Sequence, residues 1–196
     1  EHIEPDDKPA FFSGIKRFLK PDGIVFFGFP AWQMPFGGHQ QICRSGVCSK
    51  VPFMHLLPAS LYRGYLRIFK EDPAKIEELL SIKRSKMTPE KFERLCRETG
   101  FQIVERKLWL ISPHYKAKFN LRPTRLRLGL DHIPFLRNFL STSCFYIVSA
   151  IVIPGITPDN GFQTIAFYFR TLEYLMLEKL GNRKPGDRGE DCLKSK

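Results

Sequence analysis

Gly37-Gly38-His39 is the stretch of this chain best suited to chemistry. Paired glycines let a backbone approach a ligand closely, and a histidine titrates where general bases work. His39 is therefore the candidate base or substrate contact. Local packing at the start of a helix is the plain alternative. Trp32, Gln40 and His55 lie nearby in the chain. They read either as an aromatic wall and hydrogen-bonding groups for a substrate, or as packing of the segment itself. His39, Cys43, Cys48 and His55 include two pairs of metal-capable side chains, and His39 and Cys43 would share a helix face. Their spacing matches no common zinc pattern, so no metal site is expected.

The elements that must position these residues are legible on both sides. Phe11, Phe12, Ile15, Phe18 and Leu19 recur at helical steps and predict one amphipathic helix over 8–19, with Asp7 and Pro9 suited to its start. Lys20-Pro21-Asp22-Gly23 reads as a tight turn. Ile24-Val25-Phe26-Phe27-Gly28-Phe29, closed by Pro30, is a continuous apolar run, which predicts a strand buried on both faces as in a parallel sheet. Residues 31–87 then form an insert. Material after the carboxyl end of a strand in an open α/β sheet lies beside the ligand crevice, so this insert is expected to be a lid or substrate cover. It is predicted to hold a short helix over 39–48 and a second one around Tyr62, Tyr65 and Leu66.

Thr88-Pro89-Glu90 is the clearest helix start in the chain, with Phe92, Leu95 and Cys96 as its inner stripe and Gly100 to stop it. A strand over 101–111 follows, alternating at first and apolar later. A second insert, 112–142, is basic, with Lys116, Lys118, Arg122, Arg125, Arg127 and Arg137 against the single acid Asp131. It reads as a surface for RNA or lipid headgroups, or as an amphipathic helix with a solvated face. Tyr115 and Phe119 could stack on bases, but no RNA-binding motif is present. A further strand is predicted over 143–153, a helical extension within 153–180, and a disordered tail over 181–196.

The formal net charge of +11 favours contact with something anionic, or simply solubility. Hydrophobic residues make up 43% of the chain and include 18 phenylalanines, which is enough for a sizeable core. Five cysteines without a CxxC pair suggest no disulfide framework and fit a reducing, cytoplasmic setting.

Glu1-His2-Ile3, then a helix, then Phe18-Leu19-Lys20-Pro21-Asp22-Gly23-Ile24 resembles the middle of a class I S-adenosylmethionine-dependent methyltransferase. In that family a Glu-His-Ile/Val stretch follows the fourth strand and a Leu-Lys-Pro-Gly-Gly turn precedes the fifth. Asp22 stands here in place of the first glycine, which a turn tolerates. Glu98-Thr99-Gly100-Phe101, between helix and strand, extends the likeness toward the sixth strand, and the order of elements follows the family to about residue 152.

The resemblance implies an α/β fold with a partial Rossmann-like methyltransferase sheet, made of strands 5, 6 and 7 with the last antiparallel, and with helical inserts. It places Glu1, His2 and Ile3 beside the methionine part of the cofactor S-adenosylmethionine, and His39 just past the fifth strand. The implied activity is methyl transfer to a small-molecule or lipid-like acceptor. The family's cofactor loop is a Gly-x-Gly turn, and none occurs in the 196 residues. The cofactor-binding half is thus expected to be lacking, and the chain alone inactive. The strand at 24–29 is expected to expose an apolar edge that invites self-association unless 154–180 covers it. The alternative is a non-catalytic basic module that binds RNA or an anionic membrane. Within the methyltransferase reading, peripheral membrane contact through 112–142 is the expected second partner and nucleic acid is not.

Overall fold

The computed structural model describes residues 2–20, 23–127 and 129–150. The expectations for Glu1, for Pro21-Asp22, for the end of the last strand, for the helical extension and for the tail lie outside those residues.

Helix α1 (Lys8–Lys16) follows a single 3-10 turn at Pro5–Asp7. It ends before its apolar pattern does. The amides of Arg17, Phe18 and Leu19 bond the carbonyls of Gly14, Ile15 and Lys16 at 3.0–3.2 Å, tightening the exit to a 3-10 form. Phe12 is therefore buried, while Phe18, expected on the inner stripe, is 89% exposed. Strand β1 (Ile24–Phe29) comes next. The first insert then carries α2 (Gly46–Lys50), α3 (Ala59–Ile68) and α4 (Pro73–Ser85). The helix expected over 39–48 is two pieces, a 3-10 turn at Gln40–Ile42 and α2.

Helix α5 (Pro89–Glu98) is built as its sequence dictates. The Thr88 hydroxyl oxygen accepts the Lys91 amide at 3.2 Å, Pro89 opens the first turn, and Gly100 takes φ +67° beyond the end. Strand β2 (Gln102–Ile111), helix α6 (His114–Phe119), the two-residue β3 (Thr124–Arg125), helix α7 (Leu136–Leu140) and strand β4 (Ser143–Ser149) complete the described chain.

The fold is α/β, with one four-stranded sheet in the order β1-β4-β2-β3 and every pairing antiparallel. β1 and β2 therefore run in the same direction on either side of β4. This corrects the expectation that the apolar run of β1 marks a strand buried on both faces among parallel neighbours. That position belongs to β4, where Cys144 to Ser149 are all buried. β1 lies at the end of the sheet, its outer edge unpaired among the described residues, and only Phe29 of its six residues is buried.

A bulge interrupts β2 between Ile103 and Glu105. Before it Ile103 faces the helices. After it Arg106 and Leu108 do, opposite Tyr146 and Cys144. The main core lies on this face, where Phe12, Phe92, Phe101, Leu108, Tyr146 and Val148 meet. Phe92 and Tyr146 rings stand 4.5 Å apart, and Phe12 stacks on Phe27 at 5.0 Å. Each such buried aromatic contributes about 1.5–3 kcal/mol. Trp109, Phe145 and Ile147 form a smaller cluster on the opposite face. Among the described residues no helix is long and apolar enough to cross a membrane.

Candidate functional site

The first insert is held in shape by buried polar groups. Gln40 is fully buried, and its amide donates to the carbonyls of Pro35 (3.2 Å) and Val51 (3.3 Å). Glu71 is buried too, accepting the amides of Arg44 at 2.9 Å and Ser45 at 2.7 Å. Lys83 reaches in from α4 and donates to the carbonyls of His55 (2.7 Å) and Leu57 (2.6 Å). Its ammonium also lies 5.6 Å from the centre of the Trp32 ring. Beneath them Cys43, Cys48, Tyr62, Leu66, Ile76 and Leu79 make a core separate from that of the sheet.

His55 is at the centre of this arrangement. It is fully buried, its ring stands edge-on to Trp32 at 4.6 Å, and Nε2 lies 2.7 Å from the Trp32 carbonyl oxygen. That contact assigns the proton to Nε2 as donor. Burial lowers its pKa to about 4 against the opposing Trp32 carbonyl bond, and the neighbouring charges of Lys83 and His39 act in the same downward direction. Gly38 is needed here, since a Cβ on it would meet the His55 Cβ at 2.1 Å. Trp32, Gln40 and His55, candidates for substrate contact, thus spend their polar groups inside the insert. All three are buried.

His39 is placed differently. It takes a left-handed backbone (φ 57°), is half-buried, and its amide donates to the Phe36 carbonyl at 3.0 Å. Its ring meets that of His2 edge-on at 5.4 Å. The structure therefore brings together two candidates that lie 37 positions apart in the sequence (39 − 2). Ile3 lines a hollow of about 80 Å³ with Lys8, Phe12, Phe29 and Met87, and its carbonyl accepts from the Lys8 ammonium at 2.6 Å. Among the described residues no three of His, Cys, Asp and Glu gather as metal ligands would. Cys43 and Cys48 lie in the core of the insert, where burial pushes the Cys43 thiol up to about 12.

The largest hollow relevant to a ligand lies between the two inserts. It measures about 520 Å³ and is lined by Met34, Pro35 and Phe36 from the first and by Tyr115, Phe119 and Leu121 from the second. Thr142, just before β4, closes one side, and Gln41, Ser49 and Lys50 supply polar groups. The register pairs Phe29 with Cys144 and Trp109 with Ser143. The chain leaves β1 and β2 at the same edge of the sheet, and the cavity lies beyond their carboxyl ends, where α/β sheets bind ligands. Its size and apolar lining suit a small molecule.

Sequence reasoning did not find this cavity. Tyr115 and Phe119 stood out as aromatic, but their partners Met34 and Phe36 lie about eighty residues earlier and carry no local signal. The basic character of the second insert also resolves into different roles. Arg137 is buried, bonding Glu90 at 2.8 Å and Glu93 at 3.3 Å, and so anchors the insert to α5. Arg125 lies 5.6 Å from the centre of the Trp109 ring. Arg122 and Arg127 are exposed. No protein-family model, curated protein or solved structure matches the chain.

Proposed function

We propose that the described fold is the acceptor side of a class I methyltransferase, working on a small apolar or lipid-like acceptor. The carrying observation is the 520 Å³ apolar cavity beyond the carboxyl ends of two like-directed strands with an antiparallel strand between them. The antiparallel last strand agrees with the seventh strand that the family resemblance implies. Met34, Phe36, Tyr115 and Phe119 would hold the apolar acceptor. His39, one turn from Phe36 and beside His2, is the candidate base. An acceptor held between two inserts is oriented and kept from water, which is most of what methyl transfer asks of a protein.

The described residues do not fit S-adenosylmethionine by themselves. The hollow at Ile3 is about 80 Å³, against roughly 300 Å³ or more for a small-molecule site. No Gly-x-Gly turn is present in the sequence. On this reading the cofactor is held by surfaces other than those described.

The test has two parts. The protein in its full natural length, given methyl-labelled S-adenosylmethionine, should label an apolar phenol or fatty acid. Phe36→Ala should raise KM for the acceptor, and His39→Gln should lower kcat. Absence of labelled product across phenolic, amine and carboxylate acceptors would defeat the reading. So would tight, saturable cofactor binding by the 196-residue chain alone, because it would place the whole cofactor site here.

One observation favours a second reading, a non-catalytic basic module on an anionic membrane. The second insert exposes Phe119, Leu121, Ile133, Phe135 and Phe139 in the same segment as exposed Lys116, Arg122 and Arg127. Salt-dependent binding to anionic vesicles, lost in Phe135→Ser and unaffected by cofactor, would favour it.

A further inference from the structure

The junction of α4 and α5 gathers positive charge from three helices. Arg63 of α3, Lys83 and Arg84 of α4, Lys86 of the connection and Lys91 of α5 line one hollow of about 500 Å³, with Ala59 and Leu80 completing it. No carboxylate is among its lining residues. Part of this has an ordinary explanation, because cations at a helix carboxyl end meet the free carbonyls, and Lys83, Arg84 and Lys86 are placed there. That account does not reach Arg63, which comes from another helix. It runs against Lys91, which sits in the first turn of α5, where the helix dipole disfavours a cation.

The cations differ in what they already hold. Arg63 pairs with Glu77 at 3.0 Å, Arg84 with Glu4 at 2.8 Å, and Lys83 bonds two carbonyls. Lys86 and Lys91 are exposed, and among the described residues their ammonium groups have no carboxylate or carbonyl partner. Lys86 also takes a left-handed backbone, φ 43°, which costs a non-glycine residue energy. Burial, followed by the charge of Lys86, lowers the pKa of both Lys83 and Lys91. Like charges converging on one hollow repel unless an anion joins them. A phosphate group offers several oxygens that can accept from more than one ammonium or guanidinium at once.

We propose that this hollow binds a phosphate-bearing ligand, with Lys86 and Lys91 making the direct contacts and Arg63 and Arg84 strengthening the field. The site is independent of the acceptor cavity and of the methyltransferase reading. It gives the chain's excess of positive charge a local purpose.

Calorimetric titration of the full chain with inorganic pyrophosphate tests it. Saturable 1:1 binding is expected. The double variant Lys86→Gln/Lys91→Gln should weaken it by roughly a hundredfold, about tenfold for each charge-assisted contact. Arg122→Gln/Arg127→Gln removes the same charge from exposed positions on the second insert and should leave the affinity little changed. Circular dichroism of both variants should match the parent. Binding that never saturates, or an equal loss in the two variants, would show general charge attraction and overturn the proposal. Phosphatidylglycerol vesicles then separate the sources of phosphate. If vesicles bind through Lys86 and Lys91 and pyrophosphate displaces them, the ligand is a lipid headgroup. If pyrophosphate binds there and vesicles do not compete, it is a free phosphorylated compound.

Discussion

The two inserts leave the same edge of the same sheet and are built on opposite principles. The first, 31–87, has its own apolar core and spends its buried polar groups on its own backbone: Gln40 on Pro35 and Val51, Glu71 on Arg44 and Ser45, Lys83 on His55 and Leu57. The second, 112–142, exposes Phe119, Leu121, Ile133, Phe135 and Phe139 and is tied down chiefly by Arg137 on α5. One wall of the apolar cavity is therefore fixed and the other hangs from a buried ion pair. A site assembled this way can hold its shape on one side and admit ligand from the other.

The contrast can be broken most severely at Arg137. Arg137→Ala strands Glu90 and Glu93 without their buried partner and should cost about 3–5 kcal/mol. The loss would appear as a lower urea midpoint together with exposure of Tyr115 and Phe119 to solvent. A cost below about 1 kcal/mol, the range of surface pairs, would mean the second insert has other anchors.

Leu66 tests the opposite wall. It is fully buried in the core of the first insert, and Leu66→Ala should cost about 3 kcal/mol. Hydrogen exchange should show the loss concentrated in 43–80, with the amides of β4 still protected. Uniform loosening of insert and sheet would deny the insert a core of its own.

Acid should act on the first insert as well. Native His55 is held neutral with a pKa of about 4, and the unfolded residue protonates near its ordinary 6.5. The unfolded state therefore binds more protons as pH falls through this window. The stabilisation is complete above about 6.5 and is lost progressively toward 4, by up to roughly 3 kcal/mol. Urea midpoints between pH 7 and pH 4.5 should fall accordingly, and a His55→Gln variant should lack that part of the slope. An unchanged slope in the variant would assign the acid sensitivity to other groups.

The smallest effect belongs to Phe135. At 71% exposed, Phe135→Ser should change stability by less than about 0.5 kcal/mol. A larger cost would reveal a hidden core in the second insert.

What could be read beforehand follows from the range of each signal. Helix α5 was legible because Thr88, Pro89 and Gly100 act within a turn of themselves. Strands β1, β2 and β4 were legible as apolar or alternating runs, but their pairing was not, since register is set between segments up to 120 positions apart, as for Phe27 and Tyr146 (146 − 27 = 119). Helix α4 went unread because Ile76, Leu79, Leu80, Ile82 and Lys83 are buried around much of its girth and leave no single stripe. The pairing of His2 with His39 and the burial of His55 depend on contacts across the fold. The glycines that permit them stood out in the sequence, but only the structure shows that Gly38 makes room for His55 rather than for a ligand.

The bulge in β2 has a consequence for inheritance. Between Ile103 and Glu105 it changes the parity of the strand. Removing residue 104 would restore unbroken alternation and exchange both faces of the following segment at once. Arg106 would leave Glu93, Leu108 would leave the core, and Glu105 and Lys107 would turn toward the phenylalanines of α1 and α5. Single replacements along β2 alter one contact each, whereas a single-codon deletion rewrites them all. The number of residues in this strand is thus held more strictly than their identity.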